Sequence, residues 1–139
     1  DSIIDALTTA AMSGVDVRIM TPNMPDHPFI YRATEYYSQL LHAAGVKIYR
    51  YEDGFLHAKT AVMDGHISTV GSANMDIRSF KLNFEANTFI YDPKVAAQLE
   101  AIYQADMEKA SLLTDEIIAQ QSTWLKFKQK FSRLLSPIL

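Results

Sequence analysis

The same local pattern occurs twice in the first third of the chain. Ile4, Leu7 and Ala11 recur at helical spacing, Gly14 follows, and Val15, Val17 and Ile19 then alternate with Asp16 and Arg18 as far as Thr21-Pro22. A second helical stretch over roughly residues 33–44 ends at Gly45, and Val46-Lys47-Ile48-Tyr49 alternates again. Glycine closes helices because it accepts the left-handed conformation, and period-two alternation marks a half-buried strand. Two helix–Gly-Val–strand units in succession predict an α/β layered fold. Further strands are expected at 56–63, 67–71 and 85–91, with Asp64-Gly65 as a two-residue hairpin turn between the first two. Asp92-Pro93 reads as N-cap and first-turn proline of a helix whose buried stripe would be Val95, Leu99 and Ile102. The expected fold is α/β, a mixed β-sheet flanked by helices on both faces, with a C-terminal amphipathic helix.

Composition narrows the class. The 139 residues suit one domain, and 48% hydrophobic with 21% charged is an ordinary globular balance. No apolar run approaches the length of a transmembrane helix. Without cysteine, disulfides and thiolate metal sites are excluded. The chain opens on Asp1 without a signal-peptide pattern and reads as a fragment or processed product. Residues 1–116 hold all 16 acidic side chains against nine basic ones, a net −7. Residues 117–139 hold Lys126, Lys128, Lys130 and Arg133 and no acid, a net +4. Such asymmetry predicts a body at 1–116 and a basic amphipathic segment at 117–139 with an anionic partner. The acidic body is a poor footprint for nucleic acid, which is not expected as a partner.

The predicted hairpin gathers polar residues. With Asp64-Gly65 as the loop, Met63 faces His66 and His57 faces Ser72. His57, Lys59, Ser72 and Asn74 then share one face near one end, with Gly71 adding no bulk. An imidazole, an ammonium, a hydroxyl and an amide in one patch could bind and attack a phosphate. Asp64 lies seven residues from His57, roughly 23 Å along an extended strand, and belongs to the turn and to strand support.

These residues also carry a resemblance. His57-Ala58-Lys59-Thr60-Ala61-Val62-Met63-Asp64 matches the HxKxxxxD motif of the phospholipase D superfamily, and Gly71, Ser72 and Asn74 match its GSxN continuation. The surroundings, at 10–22, 51–65, 74–87 and 133–139, resemble the second catalytic half of the bacterial cardiolipin synthases. The resemblance implies two such motifs meeting across a pseudo-twofold axis. One histidine attacks phosphorus and forms a phosphohistidine, while the other handles the proton of the leaving and incoming alcohols. It implies catalytic roles for His57, Lys59, Asp64 and Glu85, and phosphate binding by Lys59, Ser72 and Asn74. Glu85 would orient His57, and neither a metal nor a cofactor is expected. Imidazole suits both roles because it ordinarily titrates close to neutral pH.

Only one such motif is present, so its counterpart is expected upstream in the same chain or in a second subunit. The implied reaction is phosphatidyl transfer between two phosphatidylglycerol molecules with release of glycerol. The implied place is the bacterial cell membrane, with the catalytic part at its cytoplasmic face. Two other readings remain open: a homodimeric phosphodiesterase or nuclease of the same superfamily, and a membrane-binding half that is inert alone. His27 lies in a loop over 23–28 and is read as a solvated loop residue, while His42 and His66 are read as surface residues. Asp76 and Arg78 read as the start of a short helix.

From Trp124 onward, Phe127, Phe131, Leu134, Leu135 and Ile138 fall on one helical face. Lys126, Lys130 and Arg133 lie opposite, and Pro137 limits the helix. Trp124, Lys126, Phe127, Lys130, Phe131 and Arg133 are therefore candidate contacts to an anionic phospholipid membrane. The competing reading packs this helix on the domain.

Overall fold

The computed structural model describes residues 2–24 and 28–135. In chain order its elements begin with α1 (Ser2–Met12), β1 (Arg18–Pro22), α2 (Pro28–Ala43), β2 (Lys47–Tyr51), β3 (Thr60–Met63) and β4 (Ile67–Gly71). They continue with α3 (Ile77–Lys81), β5 (Asn87–Ile90), α4 (Pro93–Met107), β6 (Ala110–Leu112), α5 (Asp115–Ala119) and α6 (Thr123–Leu135). Two compact units result: Asp1–Phe55 with Ala110–Leu139, and Leu56–Lys109. They follow contacts, whereas the division expected at 116/117 followed charge.

The repeated Gly-Val pattern has a common geometric cause. Gly14 and Gly45 have φ of 91° and 96°. The Val15 N–H donates to the Ala10 carbonyl and the Gly14 N–H to Ala11; Val46 and Gly45 donate in the same way to Leu41 and His42. Both helices thus end in a Schellman motif, which needs glycine in the left-handed position and an apolar residue after it. In the second copy that residue, Val46, and Leu41 are both buried.

In the first unit β1 and β2 run parallel, Arg18 opposite Lys47 through Pro22 opposite Tyr51. Strand β6 pairs antiparallel with β2, which is therefore central. Leu41, Val46, Ile48 and Leu113 form the buried core, with Ile4, Leu7, Ala11, Val17, Ile19, Ile117 and Ile118 packed against it. Helix α6 lies against α2. It buries a polar seam of Gln129 and Ser132, each 2% exposed. Gln129 donates to Glu35 Oε2 and Gln121 Oε1, both at 3.2 Å, and accepts from Gln39 Nε2 at 3.2 Å.

The second unit holds an antiparallel sheet in the order β3-β4-β5. Its helix α4 starts as the sequence predicts, with Asp92 accepting from Lys94 N at 2.7 Å and Val95 N at 3.4 Å, and proline first inside. This helix packs on β3 and β4. Its buried face centres on Ala96 with Val95, Leu99 and Tyr103 half-buried, while Ile102 is exposed. Val95 and Leu99 thus fall on the inward side as expected, with Ala96 and Tyr103 in place of Ile102. Asp76 caps α3, accepting from Ser79 N at 2.7 Å. The class is mixed α/β with a C-terminal helix, as expected. The strands form two three-stranded sheets, in the orders β1-β2-β6 and β3-β4-β5.

Candidate functional site

The motif residues flank one hairpin. At its closed end Asp64 and Gly65 both take positive φ, 51° and 66°, and His66 N donates to Met63 O at 3.1 Å. This is the tight turn that the Asp-Gly pair predicts. The ladder, however, resumes at Ile67, which pairs with Met63, so Thr60 faces Val70. His66 closes the turn and is left out of the pairing, and the register is one residue off the expected Met63–His66 pairing. Strand β3 starts only at Thr60. His57 and Lys59 precede it, and Ser72 and Asn74 follow β4, so ladder parity does not place them.

What gathers at the open end is set by other bonds. Gly71 N donates to Lys59 O at 3.1 Å, extending the pairing one step beyond β3. Gly71 faces Asn87 on β5. A Cβ at Gly71 would collide with the Asn87 side chain and the Ala86 carbonyl. Glycine is required there so that β5 can approach. Immediately after, Ser72 N donates to Ala86 O at 3.0 Å. The Ser72 hydroxyl donates to Glu85 Oε2 at 2.5 Å and accepts from Ala86 N at 3.1 Å. Asn83 Nδ2 lies 3.4 Å from the other Glu85 oxygen, Oε1. Asn87 Oδ1 accepts from Ala73 N at 3.2 Å. Asn87 went unmarked in the sequence; only its place two residues after Glu85 hinted at a part in this end of the hairpin.

Across the hairpin, the Lys59 ammonium donates to the His57 carbonyl at 2.8 Å. His57, Ser72 and Asn74 are exposed, and Lys59 and Glu85 are half-buried. The Lys59 backbone carbonyl, Ser72 and Glu85 are thus linked through Gly71 and Ala86, while the Lys59 ammonium turns to His57. Asp64 is not part of this group: roughly 16 Å of strand separates it from Lys59. His66 is exposed. His42 is half-buried and pairs with Asp115 at 3.0 Å. His27 lies outside the described residues.

The candidate membrane residues divide. Trp124, Phe127 and Phe131 are exposed at 64%, 58% and 48%. Lys130 is exposed and Lys126 half-buried. Arg133 donates to Tyr36 OH at 3.0 Å on α2. Pro137 and Ile138 lie outside the described residues. Among the described residues, no helix is long and apolar enough to cross a membrane.

Comparison with known proteins places the chain. Residues 1–107 match the family model described as cardiolipin synthase, PLD-like domain. The chain is 55% identical over 138 residues to the cardiolipin synthase of Listeria welshimeri, covering 99% of this chain and 29% of that protein. It is 50% identical over 139 residues to the cardiolipin synthase of Oceanobacillus iheyensis, covering 100% and 29%. With the Staphylococcus aureus enzyme it shares 51% over 138 residues, covering 99% and 28%. The chain therefore spans under a third of the length of these relatives. Among solved structures it is similar to Nuc, a phospholipase D family member from Salmonella typhimurium. That match has a TM-score of 0.70 at 22% identity, over 81% of this chain and 74% of that one, a likeness of fold. The Gly-Val-closed helices, the Asp-Gly hairpin and the His57–Asn74 motif thus sit in a chain that belongs to the cardiolipin synthase PLD-like domain family.

Proposed function

We propose that this chain is the second catalytic half of a cardiolipin synthase. In this reading residues 1–116 form the catalytic half and 117–139 a basic segment beside it. The observation that carries the reading is the open end of the β3–β4 hairpin. There the Lys59 backbone carbonyl, Ser72 and Glu85 are linked around Gly71, where a side chain would collide with Asn87 and Ala86. His57 and Asn74 flank them in the sequence.

The reaction follows from the side chains. One imidazole attacks the phosphorus of a phosphatidylglycerol. A P–N bond forms, the P–O bond to glycerol breaks, and glycerol leaves with a proton from the second imidazole. The hydroxyl of a second phosphatidylglycerol then loses its proton to that imidazole and attacks phosphorus. The P–N bond breaks and the dimeric lipid is released. His57 is one of these two imidazoles, nucleophile or acid/base. Its counterpart belongs to an upstream half of the same chain or to a second subunit. Lys59 and Asn74 hold the non-bridging oxygens with help from Ser72. Glu85, anchored by Ser72, orients the imidazole, and Asp64 supports the turn. The enzyme would work at the bacterial membrane, with this part at its cytoplasmic face and phosphatidylglycerol as substrate.

The test is His57→Ala in the full-length enzyme that contains this segment, assayed for lipid transfer and for DNA cleavage. The expected result is loss of transfer with an unchanged fold. Near wild-type transfer, or DNA cleavage in place of lipid transfer, would overturn the reading.

A further inference from the structure

Helix α6 is oriented opposite to an ordinary surface helix. Its polar seam, Gln129 and Ser132, faces α2, where Glu35 and Gln39 supply hydrogen-bond partners. Arg133 adds a bond to Tyr36 and lies over that ring at 5.0 Å. The apolar side is left outside: Trp124, Phe127, Phe131 and Leu134 are all exposed, Leu134 at 74%. At about 100° per residue these four side chains fall within one sector of roughly 80°. The rings run in file, with Trp124 and Phe127 centroids 5.6 Å apart at 10° and Phe127 and Phe131 6.5 Å apart at 18°. Lys128 and Lys130 stand on the two edges of that sector, both exposed. The Lys128 ammonium lies 5.3 Å from the Trp124 ring centre. No acidic residue occurs from 117 to 139.

We infer that this stripe lies on an anionic phospholipid bilayer, with the three rings at the level of the headgroups and Lys128 and Lys130 on lipid phosphates. Charge complementarity chooses the occupant. A ridge of aromatic rings with a lysine on each shoulder and no acid on the same helix matches a negatively charged interface, where amphipathic rings and long cationic stems both find their preferred surroundings. The polar seam defines the pose: α2 already holds the opposite side of the helix, so binding requires no undocking. The inference stands apart from the transfer chemistry, since a catalytically dead chain would still bind.

Trp124 is the only tryptophan in the sequence, so its emission reports this stripe directly. The 139-residue chain is titrated with vesicles of equal parts phosphatidylglycerol and phosphatidylcholine, and with phosphatidylcholine alone. The expected result is a blue shift on the anionic vesicles and little on the neutral ones. K128Q/K130Q should weaken partitioning at least tenfold, since each basic residue near such a surface contributes roughly fivefold. F127S/F131S should abolish the shift with an unchanged circular dichroism spectrum. No shift on anionic vesicles would overturn the inference, and that reading needs no variant. So would a blue-shifted emission without lipid that disappears on dilution, which would assign the stripe to a second copy of the chain.

Discussion

The two ends of the β3–β4 hairpin share a ladder and differ in what holds them. The closed end is local: Asp64 and Gly65 turn the chain through their own backbone preferences, with one hydrogen bond from His66 to Met63. The open end is held from β5. Gly71 lets Asn87 and Ala86 come close, and the Ser72 hydroxyl bridges Glu85 and the Ala86 amide. One motif spans both ends, and in the proposed reading its residues divide into a part that shapes the turn and a part that presents chemistry. In that reading Asp64 acts through the turn and Lys59 on the phosphate.

That contrast can be broken at the open end. His57→Ala should reduce lipid transfer by the full-length enzyme by about three orders of magnitude or more, as loss of a nucleophile or general acid does. Its melting temperature should not move. Gly71→Ala should cost about 1–3 kcal/mol of stability, because the new methyl meets the Ala86 carbonyl as well as the Asn87 side chain. Thermal unfolding measures it, and an unchanged melting temperature would mean that β5 is free to retreat. Ser72→Ala removes a short hydrogen bond to a half-buried carboxylate and should cost about 1 kcal/mol. It should also lower transfer several-fold, with Ser72→Thr recovering part of it.

The closed end should answer only to conformation. Asp64→Asn or Asp64→Gly keeps the left-handed residue and should change stability by less than about 0.5 kcal/mol, with transfer close to normal. Asp64→Val forces a β-branched residue to positive φ and should cost at least about 1 kcal/mol. Loss of transfer in Asp64→Asn would place that carboxylate in the chemistry after all.

The smallest effect lies outside the hairpin. Arg18 and Lys47 hold the Asp16 carboxyl at about 2, below its ordinary 3.8. A lowered folded-state value means that this contribution to stability is present above about pH 4 and is lost as pH falls towards 2. Carboxyl resonances followed by acid titration should show Asp16 protonating last among the side chains near β1.

Where the sequence was legible, the cause was short-range. The Schellman ends at Gly14 and Gly45, the Asp92 N-cap, the Asp64-Gly65 turn and the Asp76 cap each depend on residues within a few positions. The order of α1, β1, α2 and β2 followed from them. Strand β6 has three residues and α5 has five, too short for periodicity to register. The motif residues could be named from their spacing, but the route by which they assemble could not. A single unpaired residue, His66, shifted the register, and the Ser72–Glu85 bond depends on a residue thirteen positions away, just ahead of β5.

By itself the sequence determined the family, the helix ends, the hairpin turn and the amphipathic division of α6, because all of these are written in residue identity and local spacing. Only the tertiary structure decided which side of α6 turns inward. Periodicity tells which residues share a face but not which face finds partners. Here the amides and carboxylate of Gln39 and Glu35, some 90 positions away, satisfied Gln129 and left the aromatic rings outside.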